Sequence, residues 1–258
     1  MELWAADGRA GLLRAAGGET RRVGTAGGAL CYAAGRVYCA ERDRCAVYDA
    51  ATARRLFSFA LPGGVCALAC FGGLICALSA DAGSVAAYSP RRGGIVFSAP
   101  AGIGPRGMAV SPDGRLLAVA GGEMAEALLF DRALRCSRRF PLPGDAAAVA
   151  FCLGGLAALC AAGEERTQSR LVLLNRAGDA RELLCCPGAP AALCALPGGG
   201  CAAGCDGAPL GVKKKRRNLL PPFLRLSRRP APLPQGRADL RCPAGRCGAA
   251  ERPGAAAR

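Results

Sequence analysis

The chain has 258 residues and a formal net charge of +15, with 34 Lys or Arg against 19 Asp or Glu, and it holds 16 cysteines but no histidine. Its length and 52% hydrophobic content are enough to bury a large core, which excludes a chain disordered throughout. The missing histidine excludes Ser-His-Asp and Cys-His catalysis, histidine-ligated metals and axial-histidine haem.

Aromatic residues make up only 5% of the chain, whereas Gly alone occurs 37 times, so the core packs small side chains between many turns. The opening MELWAADGRAG has no basic or apolar leader pattern, which predicts a cytoplasmic protein with reduced thiols serving as small hydrophobes. No Cys-x2-Cys pair occurs, and Cys201-x3-Cys205 and Cys242-x4-Cys247 are loose spacings, so neither a metal site nor a cofactor is expected. Glycine-rich stretches sit between apolar runs rather than between a strand and a helix, which argues against a phosphate-binding loop.

Taken in order, the chain alternates two kinds of hairpin. LWAADGRAGLLRA, from Leu3, reads as a C-D hairpin with large side chains and a polar turn, with Trp4 at its aromatic position. LCYAAGRVYCA, from Leu30, is an apolar A-B hairpin reversed at Gly35, and VYDAATARRLFSF, from Val47, is its C-D partner. The pair then repeats three times: VCALACFGGLICALS with AYSPRRGGIVFSA, GMAVSPDGRLLAVA with LFDRALRCSRRFPL, and AVAFCLGGLAALCA with LLNRAGDARELLC. ALCALPGGGCAAG, from Ala192, is a last A-B hairpin. The turn glycines Gly35, Gly73, Gly114, Gly155 and Gly199 lie 38, 41, 41 and 44 residues apart, and Tyr48, Tyr88, Phe130 and Leu174 give 40, 42 and 44. Such a period is that of four-stranded propeller blades.

The predicted fold is therefore an all-β propeller of four-stranded antiparallel blades with five visible: 28–64, 65–105, 106–145, 146–190, and a composite of 191–212 with 1–27 that joins the termini and leaves no free edge. The small inner residues and larger outer ones fit strands that converge on an axis. Two stretches, Val65 to Ala80 and Ala146 to Ala162, resemble membrane spans, but each carries Gly-Gly at its centre where the repeat turns, so both are predicted as hairpins and no transmembrane segment is expected.

Residues 213–258 break the pattern, opening on Lys213-Lys214-Lys215-Arg216-Arg217 and holding 13 Lys or Arg against two acids. The segment is predicted to be a disordered basic tail. Three readings stay open for it: an inert extension, the product of truncation or a frame shift in GC-rich coding DNA (under which the full form runs to six or seven blades), or an arm for nucleic acid or an anionic surface.

The B-C loops predicted for one face carry Glu41, Asp81, Glu123 and Glu164, an acidic mouth suited to a cation or a basic peptide; C-D turns such as Arg54-Arg55 and Arg91-Arg92 make the opposite face basic. Arg106 and Asp145, each just before a strand A, are placed to point toward the top of the central channel. These six are the candidate ligand-binding residues, and no catalytic residue is predicted.

The repeat PRGMAVSPDGRLLAVAGG followed by LLFDR resembles the bacterial YVTN-type, WD-repeat-like β-propeller family, whose blades share a P-x-G-x-A-x-SPDG-x-x-x-x-V core. The resemblance spans about residues 1–212 and is carried well by the third blade. It implies a binding or scaffold module that presents loops on one face to a protein or small ligand. A related branch of seven-bladed lactonases implies the alternative, a hydrolase of a sugar-phosphate lactone, for which no residue here matches a catalytic position.

Overall fold

The computed structural model describes residues 2–7, 11–24, 28–123, 125–152, 154–163, 167–175, 177–196, 198–206 and 208–212. The basic tail, with its three readings, lies outside the described residues, as does Glu164. Every regular element among the described residues is a strand, and the strands form six antiparallel sheets.

Four sheets have four strands in simple meander order. They are β4 to β7 (Leu30–Ala33, Arg36–Glu41, Arg44–Asp49, Arg55–Ala60), β8 to β11 (Val65–Phe71, Leu74–Ser79, Ser84–Ser89, Gly94–Pro100), β12 to β15 (Gly107–Val110, Leu117–Ala120, Glu126–Phe130, Cys136–Pro141) and β16 to β19 (Ala146–Cys152, Gly155–Ala162, Gln168–Leu174, Ala180–Pro187). The stretches that mimic membrane spans are thus the strand pairs β8–β9 and β16–β17, reversed at their glycines. No described helix is long and apolar enough to cross a membrane.

The composite blade is corrected. Among the described residues the ends form two separate three-stranded sheets, β1 to β3 (Glu2–Asp7, Gly11–Ala16, Glu19–Gly24) and β20 to β22 (Pro190–Ala195, Cys201–Cys205, Ala208–Val212), which makes six described sheets where five blades are predicted. Gly17 and Gly18, at φ 62° and 89°, reverse the chain once more, and β3 follows as an edge strand. Its sequence ETRRVG is polar and exposed over its first four residues, so it carries no apolar pattern to announce a strand. Trp4 consequently belongs to β1 rather than to a C strand, and its ring packs against Tyr48 of the next sheet, centroids 6.4 Å apart.

Successive sheets pack face to face, each interface closed by its own apolar cluster. Leu12 with Val37 and Tyr48 joins the first two sheets; Val47 with Ile75 and Tyr88 the next; Leu78 with Leu117 and Phe130 the third pair; Leu129 with Val149 and Leu174 the fourth; and Leu159 and Leu171 with Cys201 and Ala203 the last. Middle strands are covered on both faces, which is why β9 and β10 read as unbroken apolar runs. Each fully buried Leu or Phe contributes roughly 1.5–3 kcal/mol by leaving water. The innermost strands β4, β8, β12, β16 and β20 neighbour one another in series, whereas outer strands such as β7 and β11 face solvent, with Phe57 37% and Phe97 41% exposed. Sheets in this order, with small inner and large outer residues, make a β-propeller.

The outer turns share one chemical device. The last or next residue of each third strand is Asp49, Ser89, Asp131 or Asn175, and its side-chain oxygen accepts a backbone N–H from the turn: Thr52 at 2.8 Å, Arg92 at 3.2 Å, Ala133 at 2.9 Å and Ala177 at 2.8 Å. Short side-chain acceptors stabilise turns in this way. The bulge before or beside each aromatic at Tyr48, Tyr88 and Phe130 twists the strand into that turn.

Candidate binding site

The links that lead into the innermost strands, and the loops joining second to third strands, share one end of the sheets. Arg106 immediately precedes β12 and Asp145 immediately precedes β16. The structure brings them together: Arg106 Nη2 stands 3.7 Å from Asp145 Oδ2, with the arginine side chain 55% exposed and the carboxylate 13%. Asp145 is fixed from behind, because its Oδ1 accepts the Gly122 N–H at 2.8 Å and its carbonyl accepts from Ala161 N–H at 2.8 Å. The Arg106 N–H donates to the Ala120 carbonyl at 3.1 Å, so the backbone at both residues is anchored while the guanidinium faces solvent.

Gly121 and Gly122 make this approach feasible. Both have φ above 80°, and a β-carbon at Gly121 would lie 2.4 Å from the Ala146 carbonyl oxygen and 3.0 Å from Arg106 N. The chain there needs a residue without a side chain.

Asp81 lies on the loop after β9 and is exposed; a side chain at Gly64 would collide with its carboxylate. Between Asp81 and Arg106 stands a residue that the sequence reading passed over, Cys66. It occupies a bulge at the start of β8, and bulges re-aim side chains away from the ladder. Its thiol donates to the Pro105 carbonyl at 3.3 Å and the Leu78 carbonyl at 3.5 Å. Desolvation by the surrounding strand ends pushes that thiol up, Asp81 adds to the rise, and Arg106 opposes it. The repeat period itself holds the signal, since Cys66, Arg106 and Asp145 are 40 and 39 residues apart.

The other candidates are not gathered here. Glu41 turns along its own sheet, where Oε1 accepts from the Tyr48 hydroxyl at 3.3 Å and Oε2 pairs with Arg55 Nη2 at 3.3 Å. That bond links a B-C carboxylate with a C-D arginine, so an acidic face cleanly opposed to a basic one does not hold at this blade. Glu123 is exposed, its N–H donating to the Ile103 carbonyl at 3.2 Å. Among the described residues no group of three or more Cys, Asp or Glu is arranged to hold a metal ion. Cys201 and Cys205, loosely spaced for a metal, instead face different cysteines of the preceding sheet.

No protein-family model matches the chain, and no curated protein sequence matches it. Solved structures do. A chain of Kuenenia stuttgartiensis hydrazine synthase superposes with a TM-score of 0.60 at 17% identity, covering 75% of this chain and 57% of that one, so this chain spans little more than half its length. A chain of the mitotic checkpoint complex gives a TM-score of 0.64 at 14% identity over 80% of this chain and 68% of that one. BBS1N, solved in complex with ARL6DN in a crystal soaked with mercury, gives 0.64 at 14% over 83% and 73%. At such identities the likeness is one of fold. The chain is a β-propeller.

Proposed function

We propose that this propeller is a non-enzymatic binding module of the YVTN type, with the end of the sheets that carries Cys66, Asp81, Arg106 and Asp145 as its contact surface for a protein or small ligand. The observation that carries the reading is the state of Arg106: its backbone is anchored and its carboxylate partner is locked by a glycine N–H, yet more than half of its side chain is open to solvent. A positioned cation on rigid strand ends is suited to a carboxylate or other anionic group of a partner. Two structural neighbours were solved within protein complexes, which fits such a role. Among the described residues no feature favours the lactone-hydrolase alternative.

The test is a thermal-shift screen of carboxylate-bearing small molecules and acidic peptides, run in parallel on the native chain and on Arg106→Ala. The Arg106 ion pair is half-exposed and worth no more than about 1 kcal/mol, so the variant should melt close to the native protein. Ligands that shift only the native chain support the site, and ligands that shift both equally exclude it. Turnover of a sugar-phosphate lactone above background would overturn the non-enzymatic reading.

A further inference from the structure

The interface between the last two sheets is built differently from the other four. Of the eight buried residues in its cluster, four are cysteines: Cys152, Cys186, Cys201 and Cys205. On β21 the buried positions alternate at Cys201, Ala203 and Cys205, so both thiols project toward the preceding sheet. Cys201 meets Cys152 of the inner strand β16, and the hydrogen bond they share pushes Cys152 up and Cys201 down. Cys205 meets Cys186 of the outer strand β19, their sulfurs 3.6 Å apart and both residues 8% exposed. Cys185, the adjacent residue on β19, is exposed and its thiol reaches the Gln168 side-chain oxygen at 3.7 Å instead.

A disulfide bond is about 2.0 Å long, so the two sulfurs, at 3.6 Å, have about 1.6 Å to close. We propose that Cys186 and Cys205 form a redox modification site at which a hydroperoxide converts the pair into a disulfide, tying the last sheet covalently to the one before it. Both residues keep 8% exposure, an opening that suits an oxidant as small as hydrogen peroxide rather than a bulky disulfide donor. The thiolate of Cys205 attacks one peroxide oxygen; the S–O bond forms, the O–O bond breaks, and the departing hydroxide takes up the proton released by the thiol to become water. The Cys186 sulfur then attacks the sulfenic sulfur, the S–S bond forms, the S–O bond breaks, and a second water leaves with the Cys186 proton. Two thiols are oxidised and one peroxide is reduced to two waters. Burial pushes the Cys186 thiol up, which disfavours it as the thiolate that attacks first and leaves the first step to Cys205.

The consequence is structural. The last sheet has three strands and packs on its neighbour through one cluster, to which it contributes Cys201, Ala203 and Cys205 with Leu193 beside them. The bond would close a loop 19 residues apart in sequence that contains all of β20, and a cross-link of that span removes freedom from the unfolded chain.

The experiment uses the full-length reduced chain, exposed to hydrogen peroxide, quenched with a thiol-alkylating reagent and digested without reduction. Cleavage after Leu193 separates Cys186 from Cys205, so a linked pair of peptides two hydrogens lighter than their sum identifies the bond by mass, and fragmentation locates it. The expected result is a Cys186–Cys205 link that a dithiol reductant reverses, that persists in Cys185→Ser and Cys201→Ser, and that is lost in Cys205→Ser. Alkylation of both Cys186 and Cys205 after prolonged peroxide treatment would overturn the proposal, as would a link from Cys205 to Cys185 or Cys201. Because the mapping is read on the native sequence, it stands even if a variant fails to fold.

Discussion

Gly107→Ala tests whether the inner strands are as crowded as the structure places them. Gly107 begins β12, is buried, and has no positive φ, so its backbone conformation is open to any residue. Space is the only restriction: a β-carbon there would lie 2.9 Å from the Ala148 Cα, 3.0 Å from the Val149 N and 3.1 Å from the Ala148 carbonyl carbon. Carbon atoms in contact prefer about 3.5–4.0 Å, so β12 and β16 must part by roughly 0.6–1 Å, and both are pinned by sheets on either side. Overpacking of this kind costs about 1–3 kcal/mol, which for a chain of this size lowers the melting temperature by roughly 4–8 °C at the middle of that range. Gly28→Ala is the matched control, because nothing lies within 4 Å of its β-carbon position and its φ is not positive; it should be neutral or slightly stabilising. Urea unfolding followed by circular dichroism gives both midpoints. If Gly107→Ala unfolds at the same urea concentration as Gly28→Ala, the close approach of the inner strands is wrong.

Asp131→Ala removes the acceptor for both the Ala133 and Arg135 N–H groups in its turn and should cost about 1 kcal/mol, read as a lower urea midpoint at unchanged slope. Ala53 holds φ 59° where the matching turn of the next sheet has Gly93 at 72°, so Ala53→Gly should raise stability by about 0.5 kcal/mol, the relief of left-handed strain exceeding the added freedom of the unfolded chain. Hydrogen bonds from Ser111 and from the Arg115 N–H hold Asp113 below its ordinary value of 3.8. Its contribution should therefore be complete above about pH 4 and fade as the pH falls through the lower folded value, so an acid titration should find Asp113→Asn less sensitive than the native chain over that window.

Most of the strand framework was legible because small inner residues and regular reversals repeat along the sequence. The glycines that set the period stand in the first hairpin turns, Gly35, Gly73, Gly114 and Gly199 all with positive φ; in the fourth hairpin the positive φ belongs to Gly154, and Gly155 begins β17. What escaped was polar or without pattern. β3 is an exposed edge strand rich in arginine, and β22 is APLGV, with a proline and a glycine in five residues, so neither offers an alternation to read. At the candidate site, the sequence places Arg106 and Asp145 before inner strands, but their pairing depends on the spacing of adjacent sheets, which periodicity does not encode. The partners of Glu41 are hidden for the same reason, since Tyr48 and Arg55 meet it within its own sheet. Cys66 was hidden because a thiol among so many small core cysteines looks like another packing residue until a bulge turns it outward.

The SPDG hairpin of β12–β13 shows why one blade carries the family-like pattern and its neighbours do not. Its reversal is ordered by side chains: the Ser111 hydroxyl accepts from the Leu116 N–H at 2.9 Å and donates to Asp113 Oδ1 at 2.6 Å, while that same oxygen accepts from the Arg115 N–H at 3.1 Å. The hairpin of β8–β9 reaches the same end with Gly72 and Gly73, both at positive φ and without a side-chain acceptor of their own. The first solution is bonded and pre-ordered; the second relies on glycine's freedom and loses more entropy on folding. Both bring the paired strands into register, and register is all the core requires of the turn. The device common to the four-stranded sheets lies instead in the outer turn, where Asp49, Ser89, Asp131 and Asn175 each supply an acceptor at the end of the third strand. There the strand pairing resumes beyond the bulge, and it is the turn's own N–H groups, with no strand opposite, that the side-chain oxygen meets. Inner and outer turns thus differ in what closes them: bonded side chains or paired glycines in the first, a single side-chain acceptor in the second.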